Sequence, residues 1–415
     1  MTSQATYPSL SLAERDRRWS AARSFMDEHG VQALLIFGER DGSGNPQVSP
    51  DVYFTGERAG STLVFPRDGD PIVHVWGTNS YADHMEAVRR GCDSWLRPDQ
   101  YRLGLRSDLL CETLRAHDLE AADVGVFGLE PAGPYYPSGN VPYAVFAGIN
   151  ESLPNVRFSP LWGKFLEVLL RLSDEELGFV ERSAAAGERM CEAALATTRA
   201  GATEADIYAA VAEACFAYGA HHWWSIIVSG PDSLAWGPPR HQYRAGPPRR
   251  IEAGDVVMLE LFPVYGGYET QQQLTIAVGD IHPDTQRAAA VARASYEAGL
   301  SLVKPGTTLG AVVEAINQPQ RDAGGWNLTP NIHTLPLQAA GGHGFDPSVS
   351  EMDAYVGVSQ IPPLRPELRL TPGMVFAFEP NCVIGRHRVN LGGTVVLTDD
   401  GCRELNRLPN HLCHV

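Results

Sequence analysis

Apolar residues follow two rhythms along the first part of the chain. Over residues 12–29 they recur at helical spacing (Trp19, Ala22, Phe25, Met26) among charges, which predicts an amphipathic helix. The run VQALLIFG (31–38) is continuously apolar and predicts a buried strand, with a glycine-rich turn region at 41–45. Strand patterns return at STLVFP (61–66), PIVHVWG (71–77) and VGVFGLE (124–130), with a helix around 107–117. Strands alternating with helices predict an α/β N-terminal domain over 1–165. Ser173, with Glu176 three residues on as in a capping box, starts a helix reaching about Thr198 and opens a second domain, 166–415.

That second domain repeats itself. Ala200-Gly201-Ala202-Thr203 and the helical pattern to Tyr218-Gly219 return 105 residues later as Pro305-Gly306-Thr307-Thr308 and a pattern to Ala323-Gly324. A second echo follows: Gly254 and Gly373 each open a strand with a glutamate six positions on, Glu260 and Glu379, and each strand turns at glycine into another, ending near Thr275 or Thr394. Two helix–helix–hairpin copies about a pseudo-two-fold predict an α+β domain with one shared cleft. A first turn at Tyr265-Gly266 would set Glu260 opposite Gln271, and a second at Gly385-Arg386 would set Glu379 opposite Gly392.

Composition narrows the partners. The 415 residues are 44% hydrophobic and 20% charged, enough apolar material for two or three domains, and the net charge is −16. An acidic surface disfavours nucleic acid and anionic membrane as partners, and no run of about 18 apolar residues suits a membrane span. Seven scattered cysteines without a C-x-x-C pair resemble neither a disulfide framework nor a zinc site. With a polar start to the chain that lacks signal-peptide character, they point to a cytoplasmic protein.

Several motifs in order resemble the pita-bread fold of the creatinase, prolidase and aminopeptidase P superfamily: WWSIIVSGPDSLAWGPPRH (223–241), the GGHGFD loop with His343, and GMVFAFEP with Glu379. The stretch ERDRRWSAARSFMDEHGVQALLIF and the later DVYFTGERAG are similar to the superfamily's N-terminal domain. Carried over, the five metal-ligand positions of the metallopeptidase members fall on Glu260, Gln271, His343, Glu379 and Gly392. A neutral amide and a glycine stand where carboxylates are needed, and Ser350 replaces a further histidine, so a metal pair is not expected, and no cofactor. LFPVYGGYET (261–270) resembles the metal-free, creatinase-type members. By that likeness His241 is catalytic, Glu379 and Gln273 fall at substrate-binding positions, and Arg58 lies near the arginine that a partner subunit supplies. The resemblance implies a homodimer whose active site the partner completes.

The residues themselves suggest matching chemistry. Glu260, Glu379 and Glu269 without fixed counter-charge suit a cation, and a planar guanidinium or amidinium can give a carboxylate two parallel N–H bonds. Glu269 reads equally as a solvent-facing hairpin residue. His241 follows a rigid Pro-Pro loop and could be an ordinary loop histidine; with the resemblance it becomes the group that takes a proton from water and returns it to a leaving nitrogen. His343, among glycines, reads as a substrate contact or a leftover ligand histidine. Gln271 and Gln273 share a strand face with Glu269, suiting polar recognition, or else form a solvated edge. Trp223 or Trp224 would wall the pocket with a cation–π face or simply pack in the core. Of His221 and His222, at least one is structural, because neighbours on a strand point opposite ways.

These features predict a metal-independent hydrolase cleaving a C–N bond of a small guanidino, amidino or N-substituted amino acid substrate. A lyase of the same fold, an X-Pro dipeptidase or aminopeptidase P-like metallopeptidase, and a non-catalytic binding protein are the alternatives.

Overall fold

The computed structural model describes residues 7–39, 49–130, 141–335, 339–342, 349–355 and 363–415. The chain divides into two compact units, Met1–Leu169 and Leu170–Val415.

The first unit is a mixed six-stranded sheet. Its strands β1 (Ala33–Phe37), β2 (Thr62–Pro66), β3 (Ile72–Val75), β4 (Tyr101–Leu103), β5 (Asp123–Phe127) and β6 (Arg157–Pro160) run in the order β4-β3-β2-β1-β5-β6. The apolar run at 31–38 becomes β1, buried throughout because it pairs on both sides, antiparallel with β2 and parallel with β5. Helices α1 (Leu12–His29), α2 (Pro50–Thr55), α3 (Thr78–Arg89), α4 (Ser107–Ala116), α5 (Tyr143–Ser152) and α6 (Trp162–Leu169) accompany it. The glycine-rich region at 41–45 lies outside the described residues. A boundary at 165 would cut α6, whose Phe165 packs against Phe25, Tyr53 and Phe127; the unit therefore ends four residues later.

The second unit carries the duplication in its hydrogen bonds. Helix α7 (Asp174–Thr197) starts at the Ser173–Glu176 capping box, and α8 (Glu204–Ala217) follows on N-cap Thr203. After strands β7 (His221–Gly230), β8 (Val256–Tyr265), β9 (Tyr268–Glu269) and β10 (Gln272–Ala277) come α9 (Pro283–Leu300) and α10 (Leu309–Asp322), the latter on N-cap Thr308. The second copy's strands are β11 (Ile332–Leu335), β12 (Gly341–Gly342), β13 (Val375–Phe378), β14 (Asn381–Ile384), β15 (His387–Asn390), β16 (Gly393–Leu397), β17 (Cys402–Glu404) and β18 (Cys413–His414). Thr203 bridges Arg250, and Thr308 bridges Arg369. Gly201 N–H donates to Ile251 O at 2.8 Å, and Gly306 N–H to Leu370 O at 2.9 Å. Gly254 (φ +91°) and Gly373 (φ +83°) start their strands from the same left-handed turn, which a side chain would strain.

One register differs from expectation. The first hairpin turns at Gly266-Gly267, both at positive φ (57° and 87°), the conformation a two-residue hairpin turn prefers. Glu260 therefore faces Gln273 rather than Gln271. The second hairpin turns between Ile384 and His387, and its register carries Glu379 to Gly392. Strand β10 is no edge: it lies between β8 and β18, and all its residues are buried.

Alternation along β8 sorts its faces. Val257, Leu259 and Leu261 join Ala186, Met190, Ile207 and Val211 of the two helices in one core. Glu260 is thereby turned away from the helices, toward the junction of the two halves.

Candidate functional site

Two short bonds close that junction. Gln273 N–H of β10 donates to Gly392 O at 2.8 Å, and Gln271 N–H to Thr394 Oγ1 at 3.1 Å, so first-half and second-half strands meet edge to edge. The side chains alongside are polar and almost wholly buried: Glu260, Glu269, Gln271, Gln273, His333, Glu379, Arg388 and Asn390.

Five contacts string six of these side chains together. Gln271 Nε2 donates to Glu269 Oε1 at 2.7 Å. Gln271 Oε1 lies 3.2 Å from His333 Nε2, which lies 3.3 Å from Glu379 Oε1. Glu379 Oε2 accepts from Gln273 Nε2 at 2.6 Å, and Gln273 Oε1 accepts from Asn390 Nδ2 at 3.2 Å. Each amide thus donates to one carboxyl group and makes a second contact through its oxygen. Gln272 points the other way, donating to Thr270 Oγ1 and Asn406 Oδ1.

Burial governs the protonation of this chain. Desolvation pushes Glu260 to about 7, against the Gln273 amide and the Arg388 charge, which pull it down. Glu269 rises to about 8 by burial, and Glu379 well above the carboxylate range by burial and the nearby Glu260 charge. His333 falls to about 4 by burial and is neutral at pH 7. Burial thus shifts all three glutamates toward their protonated forms, and a cation bound beside them would favour the ionised ones.

Arg388 faces the same carboxylates. Its charge acts on Glu260 and Glu379, its Nη2 donates to Thr329 Oγ1 at 3.1 Å, and Trp236 covers the guanidinium at 4.0 Å from the ring centre. Nε and Nη1 are buried without a hydrogen-bond partner.

The other expected residues lie as follows. His241 sits in the 3-10 turn Arg240–Gln242, half-buried, its Nδ1 enclosed and without a partner. It lines a cavity of about 540 Å³ with Ile227, Ser229, Arg240, Tyr243 and Arg249; the bonds above do not include it. His343 lies outside the described residues. Trp223 occupies a bulge in β7 and packs edge-on against Trp224 and Phe262. His222 is the structural histidine of its pair, buried and 2.8 Å from Ser225 Oγ. Arg58, in the first unit, is exposed and paired with Asp83 at 2.6 Å. Glu269 is buried, which removes its solvent-facing reading.

His333, Arg388, Asn390 and Trp236 escaped the sequence reading. The signal for two of them was the duplication itself. The 119-residue offset that relates Glu260 to Glu379 also relates Glu269 to Arg388 and Gln271 to Asn390.

Among the described residues the donor set does not suit a pair of divalent ions. Both hairpin glutamines are neutral and already bonded to the glutamates. At Gly392 (φ +128°) a Cβ would come within 1.9 Å of Phe378 O, so the backbone itself forbids a ligand side chain there. Among the described residues, three ligand-type side chains converge within 4.8 Å only at His282, Asp284 and His387, none of which belongs to this network.

Comparison with known proteins sets this geometry in context. The model of metallopeptidase family M24 matches residues 179–399. The probable dipeptidase PepE of Mycobacterium tuberculosis is 27% identical over 288 residues, covering 66% of this chain and 71% of that protein. Creatinase from a Bacillus species is 21% identical over 417 residues, covering 97% and 92%. The crystal structure of dipeptidase PepE from Mycobacterium ulcerans superposes with a TM-score of 0.72 at 22% identity, over 98% of this chain and 99% of that one.

Proposed function

The chain belongs to metallopeptidase family M24, a family of hydrolases, and within it we propose a metal-independent enzyme that cleaves a C–N bond of a small cationic substrate. The observation that carries this reading is the pair of amides. Gln271 and Gln273 hold Glu269 and Glu379 by direct hydrogen bonds, and Gln271 offers a neutral amide where the resemblance to the metallopeptidase members calls for an anionic oxygen. Guanidino, amidino or N-substituted amino acid substrates fit the result, with Glu260 and Glu379 accepting their N–H groups.

In this reading His241 takes a proton from water as the water oxygen bonds to the carbon next to nitrogen. The C–N bond then breaks with its electron pair going to nitrogen, and His241 returns the proton there. His343 is a further contact proposed for the substrate, with Gln271, Gln273 and Glu269 orienting it and Trp223 walling the pocket. The protein is proposed to act as a cytoplasmic homodimer, with Arg58 of the partner subunit completing each site; the seven free thiols support a reducing compartment. Among the described residues no helix is long and apolar enough to cross a membrane.

A second reading, a dipeptidase, is favoured by the 27% identity to PepE. Incubation with guanidino, amidino and N-alkyl amino acids and with X-Pro dipeptides in ¹⁸O-labelled water, read by mass spectrometry, decides between them. Solvent oxygen in the product of a non-peptide C–N substrate supports the proposal. Label only in dipeptide products supports the second reading, and unlabelled products point to elimination.

A further inference from the structure

Arg388 is the least satisfied charge in the described structure. It is 2% exposed, yet Nε and Nη1 have no hydrogen-bond partner, leaving three of its five N–H donors without an acceptor. Each buried N–H left in that state costs on the order of 1–3 kcal/mol. The equally buried Arg18 shows what a structural arginine does here: its Nε donates to Glu14 at 2.7 Å and its Nη1 to Tyr53 O at 3.0 Å. Glu260 and Glu379 feel the Arg388 charge, but neither forms an ion pair with it.

The shape of the surroundings selects what could fill the gap. Trp236 lies over the guanidinium face at 4.0 Å, and Thr329 takes Nη2, so the free donors point in the guanidinium plane, where carboxylate oxygens bind. The duplication adds a second argument. Arg388 occupies the hairpin position that Glu269 holds in the first half, so a cleft with two-fold geometry carries an acid on one side and a base on the other.

We propose that Arg388 is the anion-binding residue of the site, receiving the carboxylate of a zwitterionic substrate whose cationic nitrogen end rests on Glu260 and Glu379. The cationic half of this assignment rests on the function proposed above; the anionic half rests on Arg388 itself. This gives the carboxylate of such an amino-acid-like substrate a receiving residue on this chain.

Calorimetric titration of the full chain at pH 7 with guanidinoacetate, methylguanidine and propionate tests it. Wild type is expected to bind guanidinoacetate about tenfold or more tighter than methylguanidine, the worth of a charged hydrogen-bonded contact. Arg388→Met is expected to bring the two to parity with methylguanidine binding retained, and Arg388→Lys to recover part of the preference. Equal affinity for the two guanidines in wild type overturns the proposal, and so does a preference that survives in Arg388→Met. The wild-type comparison decides the matter even where Arg388→Met does not fold. Propionate binding that disappears in Arg388→Met, with methylguanidine failing to bind wild type, would uphold the anion site and remove the cationic reading. Failure of all three probes removes both.

Discussion

Gln273 and Glu379 join the two halves of the second unit: the amide Nε2 on β10 donates to the carboxyl Oε2 just beyond β13 at 2.6 Å, while Gln273 also faces Glu260 across the first hairpin. One neutral side chain thus stands between two buried acids. Where two cations would neutralise such a pair, the amide bonds one and lowers the other's pKa, and burial leaves protons to carry the rest.

Raised carboxyl pKa values make ligand binding pH-dependent. Burial lifts Glu260 to about 7 and Glu379 well above the ordinary carboxylate value, so a cation that needs their ionised forms must displace protons. Methylguanidine affinity is expected to rise between about pH 6 and pH 8, with binding heats that depend on the ionisation enthalpy of the buffer. Heats identical in phosphate and Tris would contradict this.

The same burial weakens the fold as pH rises. Glu269 is raised from 4.5 to about 8, so below 4.5 it is protonated folded or unfolded, and above it only the unfolded chain ionises freely. Stability is lost from there until the folded group titrates near 8. Glu269→Gln, which keeps an acceptor for Gln271, should match wild type near pH 4.5 and exceed it by roughly 3 kcal/mol at pH 7. Urea unfolding at both pH values measures the gap; a gap that does not change with pH would count against a protonated Glu269.

Gly392 should resist restoration of a ligand. Its φ of +128° and the 1.9 Å approach of a Cβ to Phe378 O leave no room for a side chain. Gly392→Glu is expected to lose about 3 kcal/mol or more, seen as a lower Tm, without gaining bound metal. A variant as stable as wild type would show that the strand accommodates a ligand there.

His241 carries the proton-transfer step of the proposed reaction. His241→Ala is expected to lower kcat by about a hundred- to ten-thousandfold while calorimetric substrate binding persists. A loss of less than about tenfold would assign the base elsewhere.

Much of the scaffold was legible because its signals are local. The helical spacing over 12–29 became α1, Ser173 and Glu176 cap α7, and the paired glycines mark both copies of the repeat. Strand alternation accounts for Glu260 turning away from the helical core, and the repeat accounts for Glu379 lying at the equivalent position of the second half. The first register differs by two residues because the turn falls on Gly266-Gly267 rather than Tyr265-Gly266, a choice that the positive φ needed at both turn positions makes locally. His333 and Trp236 were hidden for a different reason. Each reaches the cleft through long-range packing, from a short strand and a loop with no periodic pattern of their own. Arg388 could have been found by carrying the repeat through the returning strand of the hairpin.

Catalysis without paired cations is the claim on which the rest stands, and metal content measured beside activity tests it most directly. Protein dialysed against a strong chelator should keep full turnover of its C–N substrate while elemental analysis finds far less than one ion per chain. Activity that vanishes on dialysis and returns in step with two bound manganese or cobalt ions per chain would contradict the account.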